Sequence, residues 1–172
     1  PISTTNLIGN ALISLQEWPD QRMQLLADLR QADDDAAKQA LLDLAVDEFL
    51  RFESSNQLGN RRAVQATQVN GMELPAGTLV TLCIGAANRD PAVFENPDTL
   101  DVARPNANKH LAFGYGPHVC LGKRVAQIQL EEAYRQLLTR LPDIKWNGAI
   151  DIAPNNFVHA IRSLGVSFTP QG

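Results

Sequence analysis

The residue best suited to chemistry in this sequence is Cys120, which lies where a loop meets a predicted helix. The loop reads FGYGPHVCLG over residues 113–122. Free N–H groups and the dipole at the start of a helix stabilise negative charge, so this position favours a thiolate. Phe113 adds an aromatic ring beside the sulfur. Three glycines allow turns and the close approach of a flat ligand that a Cβ atom would block: Gly114, Gly116 and Gly122.

Three other roles for Cys120 have less support. A lone cysteine is by default a small buried hydrophobic residue, but the neighbouring pattern argues against that role here. A zinc site at His118-x-Cys120 lacks further ligands at zinc spacing. A nucleophile pair of Cys120 and His118 lacks an orienting third residue and an oxyanion site.

The run from Phe113 to Gly122 resembles the haem-binding signature of the cytochromes P-450, Phe-Gly-x-Gly-x-His-x-Cys-x-Gly. The resemblance implies haem b as the cofactor, with Cys120 as the axial thiolate ligand of the iron. It also implies that Phe113, Gly114 and Gly122 lie against the haem. A thiolate that donates electrons to haem iron promotes cleavage of the O–O bond.

A second resemblance involves three charged residues. Glu48-Phe49-Leu50-Arg51 resembles the family's Glu-x-x-Arg helix motif, and Arg104 lies where the family has a second arginine. Alone, Glu48 and Arg51 would form a weak surface ion pair. The resemblance instead implies a buried structural triad that holds the haem-binding core. Buried charges are tolerated when paired, so loss of one partner is expected to cost about 3–5 kcal/mol.

Residues that bind the haem propionates are also implied by the resemblance. Counting back from the Gly-x-x-x-Pro run at residues 71–75 selects Arg61, with Arg62 as the alternative. An arginine fork suits a carboxylate geometrically. His118 matches a propionate-contacting histidine. His110 fits a local backbone cap as well as a haem contact, and both roles stay open.

The start of the chain resembles the end of the family's oxygen-activating helix, Ala-Gly-x-Asp/Glu-Thr, whose acid and alcohol manage proton delivery to dioxygen. Alignment on residues 6–10 places Ser3 at the alcohol position, with Thr4 as the second choice. It places Ile2 at the acid position, and Ile2 cannot donate a proton. Either the acid lies earlier in a shifted register, or the relay differs from the usual one. The hydroxyl residues 3–5 fit a polar helix start equally well.

The elements that must position these residues can be predicted from periodicity. Helices are expected over residues 2–17, from residue 19, from the acidic run at 33–35 and over 121–141. Strands are expected over 64–69, 79–84, 158–161 and 165–168, with an irregular stretch at 88–108. His159 is expected to be an ordinary polar residue. The last helix is expected to bury five apolar residues: Leu121, Val125, Ile128, Leu137 and Leu138.

This layout predicts a mainly helical α+β fold. The resemblance specifies it as the C-terminal part of the cytochrome P-450 fold. That part comprises the end of the oxygen-activating helix, the Glu-x-x-Arg helix, small β-sheets, the irregular meander, the cysteine loop and the long helix after it. Residues 1–172 are therefore expected to be the haem-binding portion of one domain, completed by an N-terminal portion in a separate chain or segment.

Composition excludes several classes of protein. A net charge of −4 argues against general nucleic-acid binding, which leaves a basic footprint. No apolar run is long enough to span a membrane. Cys83 and Cys120 are too few for a disulfide framework, which favours a reduced, cytoplasmic setting.

The resemblance implies a soluble, bacterial-type haem-thiolate monooxygenase acting on a small apolar organic substrate. Electrons would come from NAD(P)H through a ferredoxin-type donor, for which Lys109, Lys123 and Arg124 offer a basic docking patch. A plain solvated surface explains these cations nearly as well. Residues 58–60 and 157–161 are expected to touch the substrate. A peroxygenase that uses hydrogen peroxide and a non-catalytic haem-binding fragment remain as alternatives.

Overall fold

The computed structural model describes residues 2–169. The helices are α1 (Ile2–Glu17), α2 (Pro19–Gln31), α3 (Asp35–Phe52), α4 (Ile84–Ala87) and α5 (Lys123–Arg140), with 3-10 turns at Ala107–Lys109 and Gly116–His118. The strands are β1 (Leu58–Arg62), β2 (Thr67–Val69), β3 (Met72–Leu74), β4 (Leu79–Cys83), β5 (Lys145–Ile152) and β6 (Ile161–Ser167). This mixture confirms the predicted α+β class. None of the helices in this part of the chain has the length and apolarity needed to cross a membrane.

The first three helices begin where the sequence predicts. Pro19 lies in the first turn of α2, where its missing N–H is not needed for a helical hydrogen bond. The carboxylate of Asp34 accepts a hydrogen bond from the Ala37 N–H at 2.8 Å and so caps α3. Local signals are therefore sufficient to place these boundaries.

The core lies between α1, α2, α3 and α5. Phe49 of α3 and Tyr134 of α5 are fully buried, and their ring centroids are 5.0 Å apart. The Tyr134 hydroxyl donates to the Leu7 carbonyl at 2.9 Å, which links α5 to α1. Burial raises the pKa of Tyr134 well above its usual value, so the hydroxyl remains a donor.

The predicted buried face of α5 was wrong for three residues. Leu121 is fully exposed, Val125 is 61% exposed and Ile128 is 50% exposed. The buried stripe instead contains Leu130 and its i+4 and i+8 neighbours, Tyr134 and Leu138. Ile128 and Leu130 lie about 200° apart around the helix axis, so both cannot face the same core.

Among residues 2–169 the strands form three two-stranded antiparallel sheets, β1–β4, β2–β3 and β5–β6. The β2–β3 turn has positive φ values at Asn70 (48°) and Gly71 (80°), as a tight hairpin turn requires. In the β1–β4 pair, Arg61 lies opposite Val80. An isolated bridge between Asn56 and Val158 joins the segment before β1 to the segment before β6.

The strand predictions were correct only in part. The predicted strand at 79–84 corresponds to β4, and the one at 165–168 overlaps β6. The strand predicted at 64–69 begins only at Thr67, and Val64 before it is 93% exposed. The prediction missed β1, β3 and β5. Two of them, LGNRR and KWNGAIDI, contain Gly and polar residues that obscure the alternation expected of a strand.

Candidate functional site

The backbone of the cysteine loop is fixed by hydrogen bonds at both ends. The Cys120 N–H donates to the Phe113 carbonyl at 2.8 Å, and the Lys123 N–H donates to the Cys120 carbonyl at 3.2 Å. The Cys120 thiol is free and exposed three residues before α5 begins. The loop therefore presents the sulfur close to the N-terminus of a long helix, as the sequence predicts.

Two of the three loop glycines are required by backbone conformation. Gly114 and Gly116 have φ values of 74° and 66°, which disfavour residues with a Cβ atom. A Cβ atom on Gly114 would also lie 3.4 Å from the His118 carbonyl oxygen. Gly122 has an ordinary φ of −86°, and a Cβ atom there would lie 4.0 Å from the Cys120 Sγ. That distance is an ordinary van der Waals contact, so it does not by itself require glycine at position 122.

A cavity of about 520 Å³ brings together the residues predicted to be catalytic or cofactor-binding. Its lining includes all eight of them: Ser3, Thr4, Arg61, Phe113, Gly114, His118, Cys120 and Gly122. Leu58, in the segment expected to touch the substrate, also lines the cavity. Sequence reasoning missed the other apolar side chains that form much of the remaining wall: Leu7, Leu50, Ile84, Val125 and Leu130. For these missed residues the sequence offered one signal: Val125 is apolar and lies about one helical turn after the cysteine loop.

The composition of this cavity fits a haem. Its volume is in the range of pockets that enclose a cofactor-sized ligand, and apolar side chains dominate such pockets. One soft sulfur donor, Cys120, suits a haem iron. Arg61 and His118 add donors suited to carboxylates. The residues present therefore match an apolar, flat, iron-containing group with acidic substituents.

The two candidate arginines of β1 differ in position. Arg61 lines the cavity, and its guanidinium donates to the adjacent Asn60 carbonyl at 2.8 Å. Arg62 instead donates to the Gly77 carbonyl at 2.7 Å, in the loop before β4. Successive residues of a strand point to opposite faces, which explains the difference. The geometry favours Arg61 over Arg62 as the cavity cation.

The structure places Glu48, Arg51 and Arg104 in direct contact. The Glu48 carboxylate accepts from Arg51 Nε at 2.6 Å and Nη2 at 2.7 Å, and from Arg104 Nε at 3.1 Å. All three side chains are buried. The arginines also donate to carbonyls of the irregular segment, including Pro97 at 2.8 Å and Glu95 at 2.7 Å. The triad thus attaches α3 to the irregular meander at 88–108.

The hydroxyl residues predicted for proton delivery lie on the first turn of α1. Ser3 and Thr4 both line the cavity. The Ser3 carbonyl accepts from Ser55 Oγ at 2.6 Å, which links the start of α1 to the segment between α3 and β1. The side chain of Ile2 lies outside the described part of the structure, so its predicted acid position stays a prediction.

The segment at 157–159 lies beside the cavity wall. The Gln57 N–H donates to the Phe157 carbonyl at 2.8 Å, and the His159 N–H donates to the Ser55 carbonyl at 2.9 Å. His159 Nδ1 lies 3.5 Å from Glu53 Oε2. Hydrogen bonding to Glu53 raises the pKa of His159, against a smaller lowering by burial. This ion pair was not predicted from the sequence.

The predicted basic patch is only partly free of acidic neighbours. Lys123 Nζ lies 5.7 Å from the centroid of the Phe113 ring, close to the cysteine loop. Arg124 lies 3.7 Å from the carboxylate of Glu131. Burial raises the pKa of Glu131, with a further contribution from Asp43.

Comparison with known proteins gives consistent matches. Residues 20–142 match the model of the cytochrome P-450 family. The chain is 43% identical over 143 residues to a putative cytochrome P-450 of Xylella fastidiosa, and 40% identical over 142 residues to the biotin biosynthesis cytochrome P-450 of Bacillus subtilis. Each match covers 83% of this chain and 33% of the relative.

A crystal structure of P-450 BioI, in complex with an acyl carrier protein ligated to hexadec-9Z-enoic acid, has the same fold over this region. The TM-score is 0.86 and the identity 36%, and the match covers 98% of this chain and 41% of that chain. The present chain thus spans about a third of the curated relatives that it matches.

Proposed function

The chain belongs to the cytochrome P-450 family, and we propose that it forms the haem-binding portion of a haem-thiolate monooxygenase. The whole protein would insert one oxygen atom from O₂ into a small, apolar organic substrate. The observation that carries this proposal is the position of Cys120. Its sulfur lies at one apolar cavity together with Arg61, His118 and the hydroxyls of α1.

Each of these side chains has a distinct part in the proposed mechanism. A bound haem with a thiolate ligand supplies the electron density that promotes O–O cleavage. Cys120 would provide the sulfur ligand, while Arg61 and His118 would bind and orient the propionates. The leucines of the wall exclude water, which strengthens electrostatic interactions inside the site. Ser3, with Thr4 as the second choice, would hold a proton near the reacting oxygen.

Two partners follow from the proposal. A ferredoxin-type protein would deliver electrons from NAD(P)H at the face that carries Lys109, Lys123 and Arg124. The remainder of the same protein would cover exposed apolar side chains such as those of Leu121 and Ile128, since exposed apolar surface can mark an interaction site. Substrate contacts are proposed for residues 58–60 and 157–161. Two cysteines are too few for a disulfide framework, and on that ground we propose a cytoplasmic location.

One observation favours a second activity of the same site. The position that aligns with the family's acid is Ile2, which has no proton to give. Hydrogen peroxide already carries both protons and both electrons needed for O–O cleavage. A peroxygenase reaction would therefore depend less on this position.

Turnover of the haem-loaded, full-length protein tests the proposal. A panel of fatty acids and steroids would be incubated either with NADPH, ferredoxin and ferredoxin reductase under labelled ¹⁸O₂, or with hydrogen peroxide alone. Label in the product from ¹⁸O₂ supports the monooxygenase, while product that forms with peroxide and not with NADPH and ferredoxin supports the peroxygenase. Cys83→Ser is the matched control for Cys120→Ser. Activity that survives equally in both variants would exclude either activity at this site.

A further inference from the structure

His110 is a buried histidine to which the proposed function gives no part. Its side chain is 2% exposed. The Ala112 N–H donates to His110 Nδ1 at 3.1 Å, and Nε2 lies 3.5 Å from Oδ1 of Asp47 on α3. Because Nδ1 accepts a hydrogen bond, the ring proton is on Nε2, where it faces the carboxylate. The imidazole thus connects α3 to the backbone that leads into the cysteine loop.

The backbone that His110 holds also holds Cys120. Ala112 directly precedes Phe113, and the Phe113 carbonyl accepts from the Cys120 N–H at 2.8 Å. The His110 and Phe113 ring centroids are 5.7 Å apart. Ala112 and Phe113 both line the cavity. Displacement of Ala112 would therefore move the carbonyl group that fixes the backbone of the cysteine.

A parallel set of contacts reaches the same segment. Asn88 is fully buried, and its Oδ1 accepts from the Leu111 N–H at 2.7 Å. The Asn88 carbonyl accepts from Arg51 Nη1 at 2.9 Å, and Arg51 pairs with Glu48. Asp47 and Glu48 are adjacent on α3, and each is connected to one of two consecutive backbone N–H groups. Asp47 is connected to the Ala112 N–H through His110. Glu48 is connected to the Leu111 N–H through Arg51 and Asn88.

We propose that His110, held by Asp47, is a positioning residue for Cys120. It fixes the Ala112–Phe113 backbone, and through the Phe113 carbonyl it sets where the sulfur lies relative to the cavity. This inference rests on the proposed function, in which Cys120 is the haem ligand. His110 acts on the stability of thiolate ligation and has no contact with the reacting atoms.

Substitutions in the haem-loaded, full-length protein separate this role from simple support of the fold. His110→Ala removes both contacts. His110→Asn retains an acceptor for the N–H two residues later, a common asparagine geometry, but is too short to reach Asp47 as well. Asp47→Ala removes the other end of the pair. Tyr134→Phe is the matched control, because it deletes a buried hydrogen bond on α5 outside the loop.

The readout is the fraction of reduced, carbon-monoxide-bound protein that keeps the red-shifted, thiolate-type Soret band. This fraction is followed over time, under conditions in which circular dichroism shows that all variants are folded to the same extent. We expect His110→Ala to lose the band about five-fold faster than wild type, the equivalent of one net hydrogen bond. His110→Asn and Asp47→Ala should be intermediate, and Tyr134→Phe should match wild type.

The failures of the two proposals are distinguishable. A wild-type protein without the thiolate-type band refutes the proposed function and this inference with it. A wild-type protein with the band, and His110 variants that lose it no faster than Tyr134→Phe, refutes the positioning role alone. If His110→Ala does not fold, His110→Asn and Asp47→Ala decide the question by the same comparison.

Discussion

Replacement of Glu48 by Gln should destabilise the protein far more than replacement of an exposed glutamate. Glu48 is fully buried, and two guanidinium groups share its carboxylate, with Arg51 at 2.6 Å and Arg104 at 3.1 Å. The Asp101 N–H also donates to it, at 2.9 Å. Loss of one partner from a buried ion pair costs about 3–5 kcal/mol, because the remaining charge stays buried and unpaired. Gln keeps one acceptor oxygen, so we expect about 3 kcal/mol for Glu48→Gln and up to about 5 kcal/mol for Glu48→Ala.

Glu132→Gln is the matched control. The Glu132 side chain is 56% exposed and lies 3.3 Å from Arg135 Nε, so its loss should cost less than about 1 kcal/mol. Urea unfolding followed by circular dichroism gives both free energies, provided that the dependence on urea concentration is unchanged. Added salt should reduce the loss of unfolding free energy caused by Glu132→Gln. It should leave the loss caused by Glu48→Gln nearly unchanged, since buried pairs are screened less. Equal free-energy changes for the two variants would refute the reasoning.

Three further predictions concern the cavity cation, the core and pH. Arg61→Ala should weaken haem binding about ten-fold or more, as expected for loss of a charge-assisted hydrogen bond, whereas Arg62→Ala should have little effect; the opposite order in a haem titration would contradict the geometry. Phe49→Ala should lower the free energy of unfolding by about 3–5 kcal/mol, and a change below about 1 kcal/mol would show that Phe49 is not in the core. The raised pKa of His159 means that its pair with Glu53 stabilises the fold fully below about pH 6.5, and that this contribution is lost as pH rises through the folded-state pKa. Glu53→Gln should therefore lower the free energy of unfolding by less than about 1 kcal/mol at pH 6, and by less still in alkaline solution. Urea unfolding at several pH values measures this difference, and a difference that grows with pH would contradict the prediction.

Features that depend on local signals were predicted well from the sequence. The start of α3 follows from the cap at Asp34, and the start of α2 follows from Pro19. The cysteine loop is likewise a contiguous pattern, in which Gly114 and Gly116 adopt the positive φ values that glycine permits. The contact of Arg104 with α3 depended instead on resemblance to a known family, because no local rule brings residues so far apart in sequence together.

Features that depend on what packs against an element were predicted poorly. The apolar side chains of Leu121, Val125 and Ile128 indicated burial, but Leu121 lies before α5 begins, and helical geometry turns Val125 and Ile128 away from the stripe around Leu130. Periodicity shows that a helix has an apolar face without showing which neighbour covers it. His110 shows both cases: its acceptance from the Ala112 N–H is the local backbone cap that the sequence left open, whereas its contact with Asp47 depends on a partner distant in sequence.

The central claim is that Cys120 supplies an axial thiolate to a haem, and the reduced, carbon-monoxide-bound spectrum of the haem-loaded protein tests it most directly. We expect a red-shifted Soret band typical of thiolate ligation in the wild-type protein. The band should persist in Cys83→Ala and disappear in Cys120→Ala. An unshifted, imidazole-like band in the wild-type protein, or a thiolate-type band that persists in Cys120→Ala, would contradict the claim.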